Sequence, residues 1–365
     1  MKVIVYCASE GSQSDVSGLT LKCTPSERRV WVENGKGAGG RKIAFSSTFD
    51  GVVDGSTAEG AAQALYDEGF AKAVEAVTAD KVGCVLCVGS GAGKRGALLG
   101  AACELALAKL LQTADEKGLE LSIAAVHVLW ERLTDLLDGA AIEPGTTATG
   151  AGGDGTAQSA SMLFGAVQRP LTSAAAATAA LRDIEEAAAA AEAAAMGAAG
   201  GGHLAVQLTL GEGKLLLVDA SDVSFAEASS SLLSSTLCHH SHAMLLKCLA
   251  KPSARPTVAD TALLPRLLAP AFFDAGASAR LVLHVPPSAS PTIVDMLRSA
   301  QAAAKAAKSK KQSDSDRSGA VIELLQGRLA EPKPPPSAEQ VVSSLRAIMG
   351  DTAAVGPLRR RLMRA

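Results

Sequence analysis

Residues 84–100, Cys-Val-Leu-Cys-Val-Gly-Ser-Gly-Ala-Gly-Lys-Arg-Gly-Ala-Leu-Leu-Gly, set a glycine-rich turn between an apolar run and a stretch with helical propensity. That order can do phosphate chemistry. Glycines let successive backbone N–H groups face an anion, and a following lysine adds a point charge. Gly89, Gly91 and Gly93 supply such a nest, and Lys94 supplies the charge. A nucleotide hydrolase then needs a Ser or Thr hydroxyl to hold magnesium. Here the next residue is Arg95. Arginine cannot ligate magnesium, although its charge can replace part of the ion's effect. Asp219 closes an apolar run and is the candidate to hold a magnesium-bound water, or only to cap the turn that follows. Three readings stand side by side: a plain strand-to-helix turn, residual phosphate binding without hydrolysis, and a competent ATPase.

Other reactive residues are less organised. Cys238, His239, His240 and His242 cluster, and His239 and His242 could share a helix face. No firm fourth ligand accompanies them, so no metal is expected. Cys84 and Cys87 form a Cys-x-x-Cys without a second pair, inside an apolar run, and read as buried strand cysteines. No Ser-His-Asp spacing or paired-carboxylate arrangement suggests a separate enzyme.

The elements that must position the turn follow from periodicity. Val82–Val88 is apolar throughout and reads as a central buried strand, with Lys94–Leu111 as the helix after it. Met1–Cys7, Leu19–Cys23, Arg29–Val32, Lys42–Ser46 and Ser122–Trp130 read as strands. Leu204–Leu210 and Lys214–Asp219 read as an antiparallel pair, and Ala279–Val285 as a late strand. Glu59–Val77, Ser173–Met196, Leu263–Leu268 and Thr292–Ala307 read as helices. This predicts one α/β domain over 1–308, a polar and Pro-rich linker over 309–336, and a helical basic tail over 337–365.

Composition sets limits. The chain has 365 residues and is 48% apolar, enough for one large core. Aromatic residues make up only 3%, so Leu, Val, Ile and Ala must build that core. A net charge of -2 argues against a general nucleic-acid binder. Seven cysteines, mostly in apolar contexts, fit a reducing compartment. No signal peptide and no clean apolar span are visible, so no membrane partner is expected.

The order of these motifs resembles the kinesin motor domain over residues 1 to about 305. Thr48–Val53 resembles the family's Phe-Asp-x-Val-Phe segment. Val88–Arg95 stands at its Gly-Gln-Thr-Gly-Ser-Gly-Lys-Thr loop, with Gly100 on the closing glycine. Glu131, Asp135, Leu136 and Leu137 resemble its Asn-Glu-x-x-x-Asp-Leu-Leu segment, and Leu217–Asp219 the strand entering switch II. Leu263–Leu268, Val285–Ser290 and Thr292–Ala302 resemble the microtubule-facing helix, the last strand's Ser-Pro-Ser loop and the final helix.

The resemblance implies a P-loop NTPase-like kinesin motor fold, an α/β structure whose central mixed sheet is flanked by helices. It also implies loss of function at matching positions. Val88 replaces the loop's first glycine and Arg95 the magnesium hydroxyl. Met196–His203 falls on switch I, leaving only His203 of the motif, with Gly201 where an arginine belongs. In switch II, Asp222 replaces the phosphate-sensing glycine and Ser224 the glutamate. Val5–Ala8 lies near the adenine-framing Arg-x-Arg-Pro without matching it. The basic residues Lys247, Lys251, Arg255 and Arg266 remain around the filament-facing region.

The expectation is therefore a non-catalytic pseudo-motor without coiled coil and with no required cofactor. Gly89, Gly91, Gly93, Lys94, Arg95 and Asp219 would form a vestigial nucleotide site, and retention of ATP or ADP is the alternative. Expected partners are subunits of a cytoskeletal or axonemal complex, tubulin, or another kinesin-like chain. Expected location is the cytoplasm and cytoskeleton, in a cilium or flagellum as the finer reading. Two enzyme alternatives stay open: a nucleotide-dependent motor or switch with metal-free phosphate binding, and an unrelated P-loop kinase-like enzyme.

Overall fold

The computed structural model describes residues 1–8, 19–34, 42–55, 58–89, 93–129, 132–142, 163, 165–196, 202–220, 245, 263–273, 277–286, 291 and 293–305. All of them lie in the unit Met1–Lys308. The expected linker and tail fall outside the described residues.

The central element is β6 (Val82–Gly89), buried along nearly its whole length. Both of its edges are paired. On one side runs β13 (Ser278–Val285) and on the other β12 (Gly213–Asp219), each parallel to it. The sheet continues outward through β1 (Lys2–Ala8) to β5 (Gly51–Gly55), still parallel. In the other direction it turns antiparallel through β11 (His203–Leu210), β7 (Leu121–Leu129), β8 (Arg132–Asp135) and β9 (Ala141–Ile142). A short β10 (Arg169–Pro170) also pairs with β7. The sheet is thus mixed. Continuous apolar strands such as Val-Leu-Cys-Val and Leu-Leu-Leu-Val need cover on both faces.

Alternation along each strand divides that cover into two layers. Cys84, Leu86, Val88, Leu216, Val218, Leu281 and Leu283 face one cluster. It is completed by helix α6 (Leu263–Phe273) and the helix over 293–305. Val85, Cys87, Leu215, Leu217 and Val282 face the other. That side is covered by α1 (Ala58–Leu65), α2 (Ala71–Thr78), α4 (Ala101–Lys117) and α5 (Ala174–Met196). A separate three-stranded sheet, β2 (Leu19–Thr24), β3 (Arg29–Asn34) and β4 (Lys42–Thr48), packs Leu21, Val30, Val32 and Phe45 into the first cluster.

Several boundaries differ from expectation for local reasons. The helix expected over Lys94–Leu111 is two helices, α3 (Lys94–Leu99) and α4, broken at Gly100 where ψ is -141°. It also runs on to Lys117 and stops at Gly118, which adopts the left-handed conformation. The helix expected over Glu59–Val77 contains a π-helical turn at Tyr66–Phe70 that keeps Phe70 buried. Helix α6 runs five residues past the expected end; Pro265 sits in its first turn, where a missing N–H costs no helical bond. The stretch Lys94–Lys117 is long and apolar enough to cross a membrane, but half of that apolar window is buried in this fold, as in the core helix of a globular domain.

Candidate functional site

The parallel strands β1, β13, β6 and β12 end together, and the candidate site lies at those carboxyl ends. This is where open α/β sheets bind ligands. Gly89 ends β6 with φ +149°, and a Cβ there would collide with the His284 carbonyl oxygen of β13. Only glycine lets the chain leave the sheet so close to its neighbour. Ser90, Gly91 and Ala92 fall outside the described residues, so the middle of the expected nest does too. Gly93 leads into α3, and the His284 imidazole lies 3.6 Å from where its Cβ would stand. Tyr6 of β1 stacks on His284 with ring centroids 5.4 Å apart.

Lys94 begins α3 and is buried. Its ammonium lies 2.9 Å from Asp219 Oδ1 and donates a hydrogen bond to the Ala220 carbonyl. The lysine–carboxylate contact is an ion pair without hydrogen-bond alignment, since Oδ1 has no aligned donor among the described residues. Lys94 and Asp219, both expected in a vestigial nucleotide site, are therefore turned on each other.

Arg95 completes the arrangement. Its Nε donates to Asp219 Oδ2 at 3.1 Å, and its terminal nitrogen donates to Glu192 Oε1 at 2.7 Å. Glu192 lies in α5 and is only 1% exposed. On its other side, His127 Nε2 of β7 sits 3.4 Å from the same carboxylate oxygen. His127 is also buried, and a Cβ on Gly202 would run into its imidazole ring. A single guanidinium thus spans strand β12 and helix α5 at the base of the loop.

Burial works against the charge of Arg95, but Glu192 and then Asp219 outweigh it and hold the guanidinium above its ordinary value. Glu185, two turns before Glu192 on α5, is pushed up by burial. Arg95 opposes that shift and the Asp219 charge adds to it. With Lys94 and Arg95 against Asp219 and Glu192, the cluster is neutral before His127 is counted. Removing one partner of a buried pair costs about 3–5 kcal/mol. A ligand that pulled Lys94 or Arg95 away would face that cost unless it replaced the lost partner.

Of the expected site residues, the structure brings Lys94, Arg95 and Asp219 together and places Gly89 and Gly93 beside His284. Glu192 and His127 were not expected. Glu192 had a signal: it extends the buried α5 stripe of Leu181, Ile184 and Ala188 by one more turn. His127 follows the alternation of Ile123 and Ala125 onto the face that α5 covers.

Met196 ends α5 and His203 opens β11, so the two ends of the expected switch I segment lie in regular structure. Gly201, Asp222, Ser224, the Cys238–His242 cluster, Lys247, Lys251 and Arg255 fall outside the described residues. Arg266 lies within α6. Cys84 and Cys87 point to opposite faces of β6. Burial pushes both thiols up, that of Cys87 to about 12. Both are free cysteines, with no disulfide between them. Among the described residues no cluster of three His, Cys, Asp or Glu could hold a metal ion.

No protein-family model and no curated protein matches the sequence. Solved structures do match the fold. A fast kinesin, studied for its ATPase mechanism and microtubule interactions, aligns with a TM-score of 0.63 at 14% identity. The alignment covers 83% of this chain and 90% of that one. A KIF14 dimer, in a two-heads-bound AMP-PNP state on a microtubule, aligns at 0.62 and 14% identity. There the coverage is 83% and 93%. The chain has a divergent kinesin motor fold, with the central sheet flanked by helices that this architecture requires.

Proposed function

We propose that this chain is a non-catalytic kinesin-like subunit of a microtubule-based assembly, a pseudo-motor that contributes shape and surface rather than turnover. One observation carries the reading. Lys94 and Asp219, which a magnesium nucleotide would need, are paired with each other, and Arg95 bridges Asp219 to Glu192. No hydroxyl stands at position 95 to hold a metal. In a working motor the nucleotide's charge opens and closes switch segments. In this reading the Arg95 cation bridges strand to helix in the nucleotide's place, which leaves such a device nothing to release.

The kinesin-like fold and the microtubule-bound state of one structural neighbour support a cytoskeletal partner. Tubulin, another kinesin-like chain or a non-motor subunit would fill that role, and a ciliary or flagellar axoneme is the finer setting proposed. The test uses the full purified chain. Binding of a fluorescent ATP analogue is measured with and without magnesium, alongside co-sedimentation with microtubules and phosphate release. The reading expects no magnesium-dependent nucleotide binding and no stimulated release. Tight magnesium-ATP binding with microtubule-stimulated phosphate release would overturn it.

A further inference from the structure

Where the small sheet folds back on itself, a threonine meets two arginines. Strands β2 and β3 are joined by Pro25, Ser26, Glu27 and Arg28, all exposed. The Arg28 N–H donates to the Pro25 carbonyl at 3.0 Å and closes a β-turn. Thr24, partly exposed, ends β2 and pairs in register with Arg29, which opens β3. Leu21, Val30 and Val32 turn into the first apolar cluster. Alternation therefore puts Lys22 and Thr24 of β2, and Arg29, Trp31 and Glu33 of β3, on the opposite, outer face. Side chains directly opposed in such a pair stand about 5 Å apart at Cβ.

Both arginines are loosely engaged. Arg29 lies over the Trp31 ring at 5.7 Å, and its Nε donates to the Ser46 hydroxyl at 3.2 Å. Both of those partners are neutral. Arg28 reaches Glu68 only at 3.6 Å, and both side chains are exposed. Arg28 also adopts φ +52°, in the left-handed region that favours glycine. A hairpin selected for stability alone would place glycine there. This one keeps a guanidinium at a conformational cost.

We propose that Thr24 is phosphorylated by a proline-directed serine/threonine kinase and that Arg28 and Arg29 clamp the phosphate across the hairpin. Pro25 supplies the recognition. A proline after the acceptor hydroxyl has no N–H, and a kinase that selects it leaves the N–H of any other residue unpaired. Ser26 is exposed too, but Glu27 follows it and would bring such an N–H.

In the transfer, Thr24 Oγ1 attacks the γ-phosphorus of ATP. The new O–P bond forms as the bond from that phosphorus to the bridging oxygen breaks. ADP leaves, and the hydroxyl proton passes to the kinase's base. The product carries close to two negative charges at neutral pH, and two guanidinium groups answer them. Bonds between ionised partners are about twice as strong as neutral ones, so the phosphate draws Arg29 from Ser46. It also draws Arg28 from Glu68, which releases the hairpin from the π-helical turn at Tyr66–Phe70. Of the nearby acids, Glu33 is already held by Lys22 at 3.0 Å and by the Trp31 indole, and Glu27 is exposed to solvent.

The experiment incubates the full purified chain with magnesium-ATP and a proline-directed kinase of the mitogen-activated class, then maps phosphopeptides by mass. One phosphoryl group is expected, on Thr24, and Pro25→Ala should lower its incorporation several-fold. The clamp has its own readout: the second ionisation of the phosphothreonine, followed by phosphorus NMR against pH. In the folded chain it should titrate at lower pH than in a short peptide of the same sequence. Arg28→Gln combined with Arg29→Gln should remove that difference. No incorporation, incorporation only after unfolding, phosphate on Ser26 in place of Thr24, or indifference to Pro25→Ala would overturn the site. A folded phosphothreonine that titrates as the peptide does would overturn the clamp. The peptide map and the comparison with the peptide need no variant, so a variant that fails to fold leaves both tests intact.

Discussion

The β6–β12 strand pair and the cleft at its carboxyl end are adjacent in space but hold together by different physics. Apart from Lys214 and Asp219 near the two ends of β12, the strands are apolar. Val85 lies opposite Leu217, Cys87 opposite Asp219, and the neighbouring side chains are fully buried. Such a body tolerates exchange among Leu, Val and Ile as long as volume and pattern hold. The cleft has no such freedom. Its charged groups need partners of opposite sign at hydrogen-bond distance, and here those partners come from the chain itself. Asp219 stands at the boundary, the last residue of an apolar strand and the centre of the ion-pair cluster. The contrast separates two kinds of stability: the apolar layers keep the strands in register, while one arginine closes the charge balance of the cleft.

The sharpest way to break that contrast is to remove one residue from each side. Glu192→Ala strips the buried partner from Arg95 and from the His127 contact. It is expected to cost about 3–5 kcal/mol in a urea titration. Leu217→Ala leaves a cavity in the strand layer and is expected to cost about 3 kcal/mol. The two differ in chemistry: added salt should leave the Leu217→Ala loss unchanged. If Glu192→Ala costs less than about 1 kcal/mol, the ion pairs do not organise the cleft.

A smaller effect isolates the bridge itself. A double-mutant cycle of Arg95→Met and Glu192→Gln should give a coupling of about 1–3 kcal/mol. Additive losses would mean that the 2.7 Å contact contributes nothing of its own.

The smallest effect concerns pH. Burial and Asp219 raise Glu185 above its unfolded value despite Arg95. The folded state therefore binds this proton more readily, so its contribution to stability is present below the unfolded value and is lost as pH rises through the folded one. Glu185→Gln should raise stability at pH 7 by at most about 0.5 kcal/mol, since the residue is part-exposed and screened. That gain should vanish below the ordinary glutamate range. An unchanged difference between acid and neutral pH would sink the assignment.

Legibility in the sequence followed the same division. Val82–Val88, Leu204–Leu210, Lys214–Asp219 and Ala279–Val285 could be read because apolar runs bounded by glycine or charge have few other uses. Lys94, Arg95 and Asp219 could be read because a glycine turn after such a strand marks its neighbours. Their pairing could not, since it depends on strand order: β12 lies beside β6 although 123 residues separate Gly89 from Gly213 in number, 213 minus 89 less one. Glu192 was hidden in an alanine-rich helix where one acid looks like a solubilising residue. Only the turn of the helix puts it on the stripe of Ile184 and Ala188. The helix break at Gly100 was hidden for a similar reason, because Gly96 and Gly100 sit among strong helix formers.

The most direct test is an experimental structure of the full chain grown with excess magnesium and a non-hydrolysable ATP analogue. The account predicts the Arg95 guanidinium between Asp219 and Glu192, with Lys94 on Asp219 and no nucleotide above the loop. A triphosphate held by Lys94, with its metal seated against Asp219 and Arg95 swung away from Glu192, would contradict it.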